Sequence, residues 1–342
     1  MTTTAPQRRA SISDVARTAG VSVGTVSNVL NRPDRVSPAT RDRVLAAIDK
    51  LSFVPNGSAR QLRAGTITTA GAIVLDVANP FFTDVARGIE DRLSQDDFTV
   101  MLASSDEDPD REARYLRLFE EHGVQGIMVV PATSDIDHLL AVRRRGVAVV
   151  LLDRPSPVSG LSSVAVDDVA GGEMAVRHLL TLGHERIAFL NGPHFIRQCA
   201  DRWTGARRAV ADAGLDPDEV LVDVTISSHN ADGGEAGMRE ILQMPDVPTA
   251  TFCINDLAAL GALRVLRREG ISVPHGMAVV GYDDVDFAAE LSTPLTSVRQ
   301  PTHQLGFRAA DLLLADPASA AEQITFQPEL VVRASSTGVA QA

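Results

Sequence analysis

Residues 11–30, Ser-Ile-Ser-Asp-Val-Ala-Arg-Thr-Ala-Gly-Val-Ser-Val-Gly-Thr-Val-Ser-Asn-Val-Leu, constrain this chain more than any other stretch. Ile12, Val15, Ala16 and Ala19 make one apolar stripe of a helix over Ile12–Ala19, capped by Ser11 or Ser13. Gly20 permits a sharp turn, Val21 plugs the gap behind it, and Ser22 caps a second helix over Val23–Leu30. Val26, Val29 and Leu30 of that helix face inward at helical spacing. A third helix begins at Ser37-Pro38 and continues through Thr40–Leu51, with Val44, Leu45 and Ile48 closing a core beside Phe53. Two short helices about a glycine turn form a helix-turn-helix, whose second helix lies in the DNA major groove. Ser22, Val23, Gly24, Thr25, Ser27, Asn28 and Asn31 are then the residues left to meet bases or phosphates.

Charge agrees with that placement. The chain of 342 residues carries a net charge of −12, yet through Gly65 there are ten basic residues, Arg17 and Arg35 among them, against four acids. The remainder holds 22 basic and 40 acidic residues. A positive head is drawn to phosphates while an acidic body is repelled by them. The length suits two or three domains, and no apolar run approaches the eighteen residues of a membrane span. The polar N-terminus lacks the apolar core of a signal peptide, so a cytoplasmic protein with no membrane partner is expected. Cys199 and Cys253, far apart in sequence, are expected to be buried inert thiols.

From Thr66 the pattern changes. Apolar runs at Ala70–Leu75, Thr99–Ala103, Gly126–Val130 and Ala148–Leu152 alternate with helical segments. A second such series begins with Ser163–Val166 and continues near Arg186–Leu190, Val220–Thr225, Ala250–Ile254 and Ala278–Val280. Continuous apolar strands separated by helices mean parallel sheets covered on both faces, here an α/β body of two Rossmann-like lobes. Ligands of such sheets bind outside the carboxyl ends of the strands. At those ends lie Asp76, Asn79, Phe81 and Phe82, then Asp153-Arg154, Asn255-Asp256 and Asp283, with Arg202 at the start of a helix facing the cleft. Carboxylates, an amide and a guanidinium around an aromatic floor suit a polyhydroxy ligand. Asp168 and Asp256 are equally readable as helix caps, and Arg154 as a surface ion-pair partner.

Three motifs place the chain in a family. Ala-Gly-Val-Ser-x-x-Thr-Val-Ser-x-Val-Leu-Asn, Val-Ser-Pro-x-Thr-Arg and Val-Pro-Asn-x-x-Ala-Arg-x-Leu together resemble the LacI/GalR family of bacterial transcription regulators. The resemblance implies a helix-turn-helix domain over residues 1–55, a hinge helix over 56–65 and an effector-binding, dimerising body over 66–342. That body is periplasmic-binding-protein-like, its N-lobe about residues 66–165 and 297–323 and its C-lobe about 166–296 and 324–342, with crossings near 165, 297 and 324. Asn56, Ala59 and Leu62 would carry the hinge, Leu62 as a minor-groove wedge. Val23, Gly24 and Asn28 take the base-reading positions, and Asn28 alone of them is able to pair with adenine. Phe82, Asp153, Arg202, Asn255 and Asp283 take the effector-contacting positions, with Gln198 and Gln300 beside them. The family's ligand-stacking aromatic, counted five residues before Gly237, falls on Asp232.

The resulting expectation is a homodimeric repressor of carbohydrate-utilisation genes, bound to a near-palindromic operator and released by a sugar-type effector. A corepressor-type regulator sensing a nucleobase or nucleoside is the alternative. An enzyme is disfavoured, because no Gly-x-Gly-x-x-Gly, Gly-x-Ser-x-Gly, Walker loop or His-Glu-x-x-His is present. His178, His184, His194 and His229 show no metal-ligand spacing, and no cofactor is expected.

Overall fold

The computed structural model describes residues 10–53, 68–316 and 319–337. The chain divides into two units, Met1–Ile67 and Thr68–Ala342. Asn56, Ala59 and Leu62, and with them the whole of the expected hinge, lie outside the described residues.

The head holds α1 (Ile12–Ala19), α2 (Val23–Asn31) and α3 (Pro38–Leu51). Ser11 and Asp14 cap α1 reciprocally: the Asp14 amide donates to Ser11 Oγ, and the Ser11 amide to Asp14 Oδ2 at 2.9 Å. Gly20 ends α1 in the left-handed region at φ 64°, where a Cβ would be strained, and this reverses the chain into α2. Ser22 Oγ then accepts the Thr25 amide at 3.1 Å. Val15, Ala16, Ala19, Val26, Val29, Val44, Ala47 and Phe53 are the buried core of the head. Leu45, expected inside, is 45% exposed. The inward stripe of α3 runs through Val44, Ala47, Ile48 and Leu51, and residue 45 falls a helical step outside it.

In chain order the body comprises β1 (Thr69–Val74), α4 (Pro80–Leu93), β2 (Thr99–Ser104), α5 (Pro109–Glu121), β3 (Gly126–Val129), α6 (Asp137–Arg144), β4 (Ala148–Leu152) and β5 (Ser163–Val166). It continues with α7 (Asp168–Thr181), β6 (Ile187–Asn191), α8 (Arg197–Asp212), α9 (Pro217–Val220), β7 (Leu221–Thr225), α10 (Ala231–Leu242), β8 (Ala250–Cys253) and α11 (Asp256–Arg268). The last part holds β9 (Ala278–Asp283), α12 (Phe287–Glu290), β10 (Thr296–Arg299), α13 (Thr302–Leu314), β11 (Gln323–Phe326), β12 (Glu329–Val331) and α14 (Ala334–Thr337).

Two six-stranded sheets result, ordered β2-β1-β3-β4-β5-β11 and β7-β6-β8-β9-β10-β12. Every pairing is parallel except β10 with β12. Central strands are buried throughout and mostly apolar because helices cover both faces. Ser163–Val166, read above as opening the second series, instead pairs with β4 and β11 in the first sheet. The chain therefore crosses between lobes at 166–168, 299–302 and 326–329, a few residues beyond the expected points. Strand order reverses between β1 and β3 and again between β6 and β8, and the carboxyl ends of these strands face one cleft.

Candidate effector cleft and DNA-reading helix

The cleft encloses about 520 Å³ of atom-free space, its open mouth included. Its wall is assembled from strand ends of both lobes. Leu75, Asp76, Asn79, Phe81 and Phe82 follow β1, Glu107 follows β2, and Asp153 follows β4. From the other lobe come Ile196, Gln198, Cys199 and Arg202 around the start of α8, His229 after β7, Ile254 and Asn255 after β8, and Asp283 at the end of β9.

Arg202 organises the interior. It stands in the second turn of α8 rather than at the helix start, because the helix begins four residues earlier than its apolar spacing suggested. Its Nε donates to Asp168 Oδ1 at 2.8 Å, its Nη1 to the Ile254 carbonyl at 2.5 Å, and its guanidinium carbon lies 3.5 Å from the Tyr282 ring centre. The Tyr282 hydroxyl donates to the same Asp168 oxygen at 2.9 Å. Asp168 is thus a buried partner of Arg202; the cap of α7 is Asp167. Asp256 likewise is no cap: it accepts from Ser297 Oγ and the Val285 amide, while Asn255 caps α11 and donates its amide to the His229 carbonyl.

Three acids of the cavity sit on left-handed backbone, Glu107 at φ 59°, Asp153 at φ 57° and Asp283 at φ 104°. Such conformations are costly for residues with a Cβ and cluster where side chains must be aimed. Asp153 is 3% exposed; Gln198 Nε2 donates to its carbonyl at 2.8 Å and its Oδ2 at 2.9 Å, and Oδ1 has no partner among the described residues. Asp283 accepts from Gln300 Nε2 at 2.8 Å and faces Asn79 Nδ2 at 3.5 Å. Burial, reinforced by Asp168, pushes the Asp153 carboxyl up to about 8 despite Arg202. Burial raises Asp283 to about 7 against the pull of Arg202. Burial also works against the charge of Arg202, but Asp168, Tyr282 and Asp283 hold it well above its ordinary value.

Four polar bridges tie the lobes across the cleft: Asn79 to Asp283, Gln198 to Asp153, Ser134 Oγ to the Phe195 carbonyl at 2.9 Å, and His229 Nδ1 to Glu107 Oε1 at 2.5 Å. Burial opposes the His229 charge, and its hydrogen bonds to Cys199 and Glu107 more than offset this, raising it to about 10.

Of the expected effector residues, Asp76, Phe81, Phe82, Asp153, Gln198, Arg202, Asn255 and Asp283 line this cavity. Arg154 does not: beyond the end of β4 and the left-handed step at Asp153, its guanidinium turns back to the Thr133 and Ser134 carbonyls and braces the loop after β3. Gln300 also stands behind the wall, where it props Asp283. Asp232 is exposed and lies outside the cavity; the ring in that loop is His229. Five residues after His229 stands Gly234, whose missing Cβ lets α10 approach the Ala258 carbonyl of α11. Glu107 and Cys199 were also not anticipated; only the fold brings the end of β2 and the first turns of α8 to the same ring.

Residues 68–326 match the family of periplasmic binding proteins and the sugar-binding domain of the LacI family, and residues 11–56 match bacterial regulatory proteins of the lacI family. The chain belongs to the LacI family. The transcriptional repressor PurR of Photobacterium profundum is 34% identical over 95% of this chain and 98% of its own. The regulator CelR in complex with cellobiose is 34% identical with a TM-score of 0.71, covering 96% of this chain and all of that one. The Lac repressor dimer bound to operator and an anti-inducer is 26% identical with a TM-score of 0.77, covering 96% of this chain and 99% of that one. This LacI-family chain is therefore a DNA-binding regulatory protein and not an enzyme. Among its described residues no helix is long and apolar enough to cross a membrane.

The LacI-type head leaves Ser22, Val23, Gly24, Asn28 and Asn31 exposed, with Thr25 and Ser27 half-buried. Val23 is 44% exposed at the first turn of α2. Asn31 Nδ2 is turned back to the Ser27 carbonyl at 2.9 Å. Arg17 meets Asp14 at 3.3 Å on the surface, and Arg35 is exposed in the turn after α2.

Proposed function

We propose that this regulator is a cytoplasmic homodimeric repressor whose two heads hold a near-palindromic operator and whose effector is a small sugar or sugar derivative. The observation that carries the effector class is the Asp153 carboxyl, buried in the cavity wall with Oδ1 unpartnered. A buried polar atom without a partner costs about 1–3 kcal/mol, so the site favours a ligand that hydrogen-bonds to this carboxyl. Asp76, Glu107 and Asp283 add further acceptors, Asn255 and Arg202 add donors, and Phe81 and Phe82 supply an apolar face. Vicinal hydroxyls, which both donate and accept, match this set. The cellobiose held by CelR is of the same chemical class.

Effector binding in this reading alters the closure of the lobes, and its effect on operator affinity equals the effect of operator on effector affinity. The test is a thermal-shift screen of the full chain against pentoses, hexoses, cellobiose, nucleobases and nucleosides. One sugar is expected to raise Tm, by up to about 2.7 kcal/mol of added stability at a hundredfold excess over Kd. A shift with nucleobases or nucleosides alone would move the protein to the corepressor class.

Asn28 and Val23 are proposed to read bases, the first by pairing with adenine and the second by contact with a thymine methyl. Asn28→Ala is expected to cost roughly 1–3 kcal/mol on the matched operator and almost nothing on a scrambled duplex. Arg35→Ala should weaken both alike and flatten the salt dependence. Equal losses for Asn28→Ala on both duplexes, measured by fluorescence anisotropy, would remove Asn28 from base reading.

A further inference from the structure

Cys199 belongs to a linear chain of three groups. Its Sγ lies 4.0 Å from His229 Nε2, and His229 Nδ1 lies 2.5 Å from Glu107 Oε1. Gly192 makes the arrangement possible, since a Cβ there would overlap both His229 Nε2 and Cys199 Sγ. Asn255 fixes the loop from the far side by donating to the His229 carbonyl at 2.8 Å. The groups stand in a row rather than around a common point, and no metal-holding cluster occurs among the described residues. Thiol, imidazole and carboxylate in this order are the elements of an activated nucleophile: the carboxylate orients the ring, and the ring stabilises the thiolate. Both thiols are buried, Cys199 at 1% and Cys253 at 0% exposure, but Cys199 sits in the cleft wall beside His229, while Cys253 lies inside β8 outside that wall.

We propose that Cys199 is a covalent modification site that adds small neutral electrophiles, of the α,β-unsaturated carbonyl class, entering the cleft. Sγ forms a bond to the β-carbon, the alkene electron pair moves to the α-carbon, and that carbon takes the proton carried on His229 Nε2. The net change is addition of a thiol across a double bond, with no oxidant or reductant. Neutral reagents are favoured because Asp76, Glu107, Asp153 and Asp283 line the same space. The unpartnered Asp153 oxygen supplies a further anchoring point for a ligand donor. His229 remains charged through the neutral range, its facing titratable groups being Glu107 from the first lobe and Cys199 from α8. Glu107 and His229 come from opposite lobes, so the nucleophile is complete only when the cleft is closed. The inference concerns the thiol alone and stands whether or not the cavity takes a sugar.

The test is timed labelling of the native full chain with N-ethylmaleimide, read by mass spectrometry of the Cys199 and Cys253 peptides. Cys199 is expected to react at least about ten-fold faster than Cys253. Glu107→Gln and His229→Asn should each slow it about ten-fold while leaving the Cys253 rate unchanged. Glu107 is a partly exposed loop residue, so its variant keeps the test open even if His229→Asn fails to fold. Labelling of Cys199 no faster than Cys253, or a Cys199 rate unchanged in the variants, would overturn the proposal.

Discussion

Arg202→Met is expected to lower the stability of the body by about 3–5 kcal/mol, the cost of leaving a buried carboxylate without its cation. Asp168 would lose its guanidinium donor, and Asp153 and Asp283 the positive charge that offsets part of their burial. The stack on Tyr282 and the bond to the Ile254 carbonyl would go with it. Urea unfolding of the full chain followed by Trp203 fluorescence measures the loss, since this single tryptophan neighbours Arg202 on α8 and packs near Phe189. Adding Asp168→Asn should recover part of the stability, because removing both ions avoids the stranded charge. A further loss in the double variant would mean that packing on Tyr282, rather than charge, is what Arg202 supplies. For the same reason Arg202 is a poor probe of effector contact: its variant damages the fold and the site together.

Asp153→Asn is expected to do the opposite. Folding raises Asp153 to about 8 and Asp283 to about 7, whereas carboxyls of an unfolded chain titrate near ~4. A group raised by folding contributes stability that is complete below its unfolded value and lost as pH climbs through its folded value. The His229 imidazolium, raised to about 10, acts with the same sign at higher pH. The ligand-free body should therefore lose stability from about pH 4 to 8 through the two carboxyls, with His229 extending the loss toward about pH 10, on the order of a few kcal/mol. Asn at 153 cannot ionise, so the variant should be the more stable protein at about pH 8, with a shallower slope, and should lose the Tm response to effector. Coincident pH–stability curves for the two proteins would deny that Asp153 is strained by its own charge.

Local signals were legible and longer-range ones were not. The head was readable because caps, a glycine turn and helical spacing all act within a few residues of each other: Ser11, Gly20 and Ser22 do in the structure what their types imply. Strand positions were readable from apolar runs, but sheet membership was not. Ser163–Val166 is as apolar as any strand of either lobe, and nothing in it records that its neighbours are β4 and β11. In the cleft, residues at strand ends were found by the general rule for open sheets, while direction decided between neighbours. Asp153 is turned inward by its left-handed backbone and Arg154 is carried outward by the next step of the chain. His229 was missed because Gly233, Gly234 and Gly237 offer three ways to count, and only the packing of α10 on α11 picks one.

The three crossings between lobes also set an order of assembly. α13 and β11, which complete the first sheet and its helical cover, lie more than 130 residues after β5 in sequence. During synthesis the first lobe must therefore wait, with the edge of β5 unpaired and a face of α4 uncovered, until nearly the whole chain has emerged. An open strand edge of this kind invites pairing with other chains. Loss of β11 would leave that edge permanently bare and turn a regulator into an aggregating fragment.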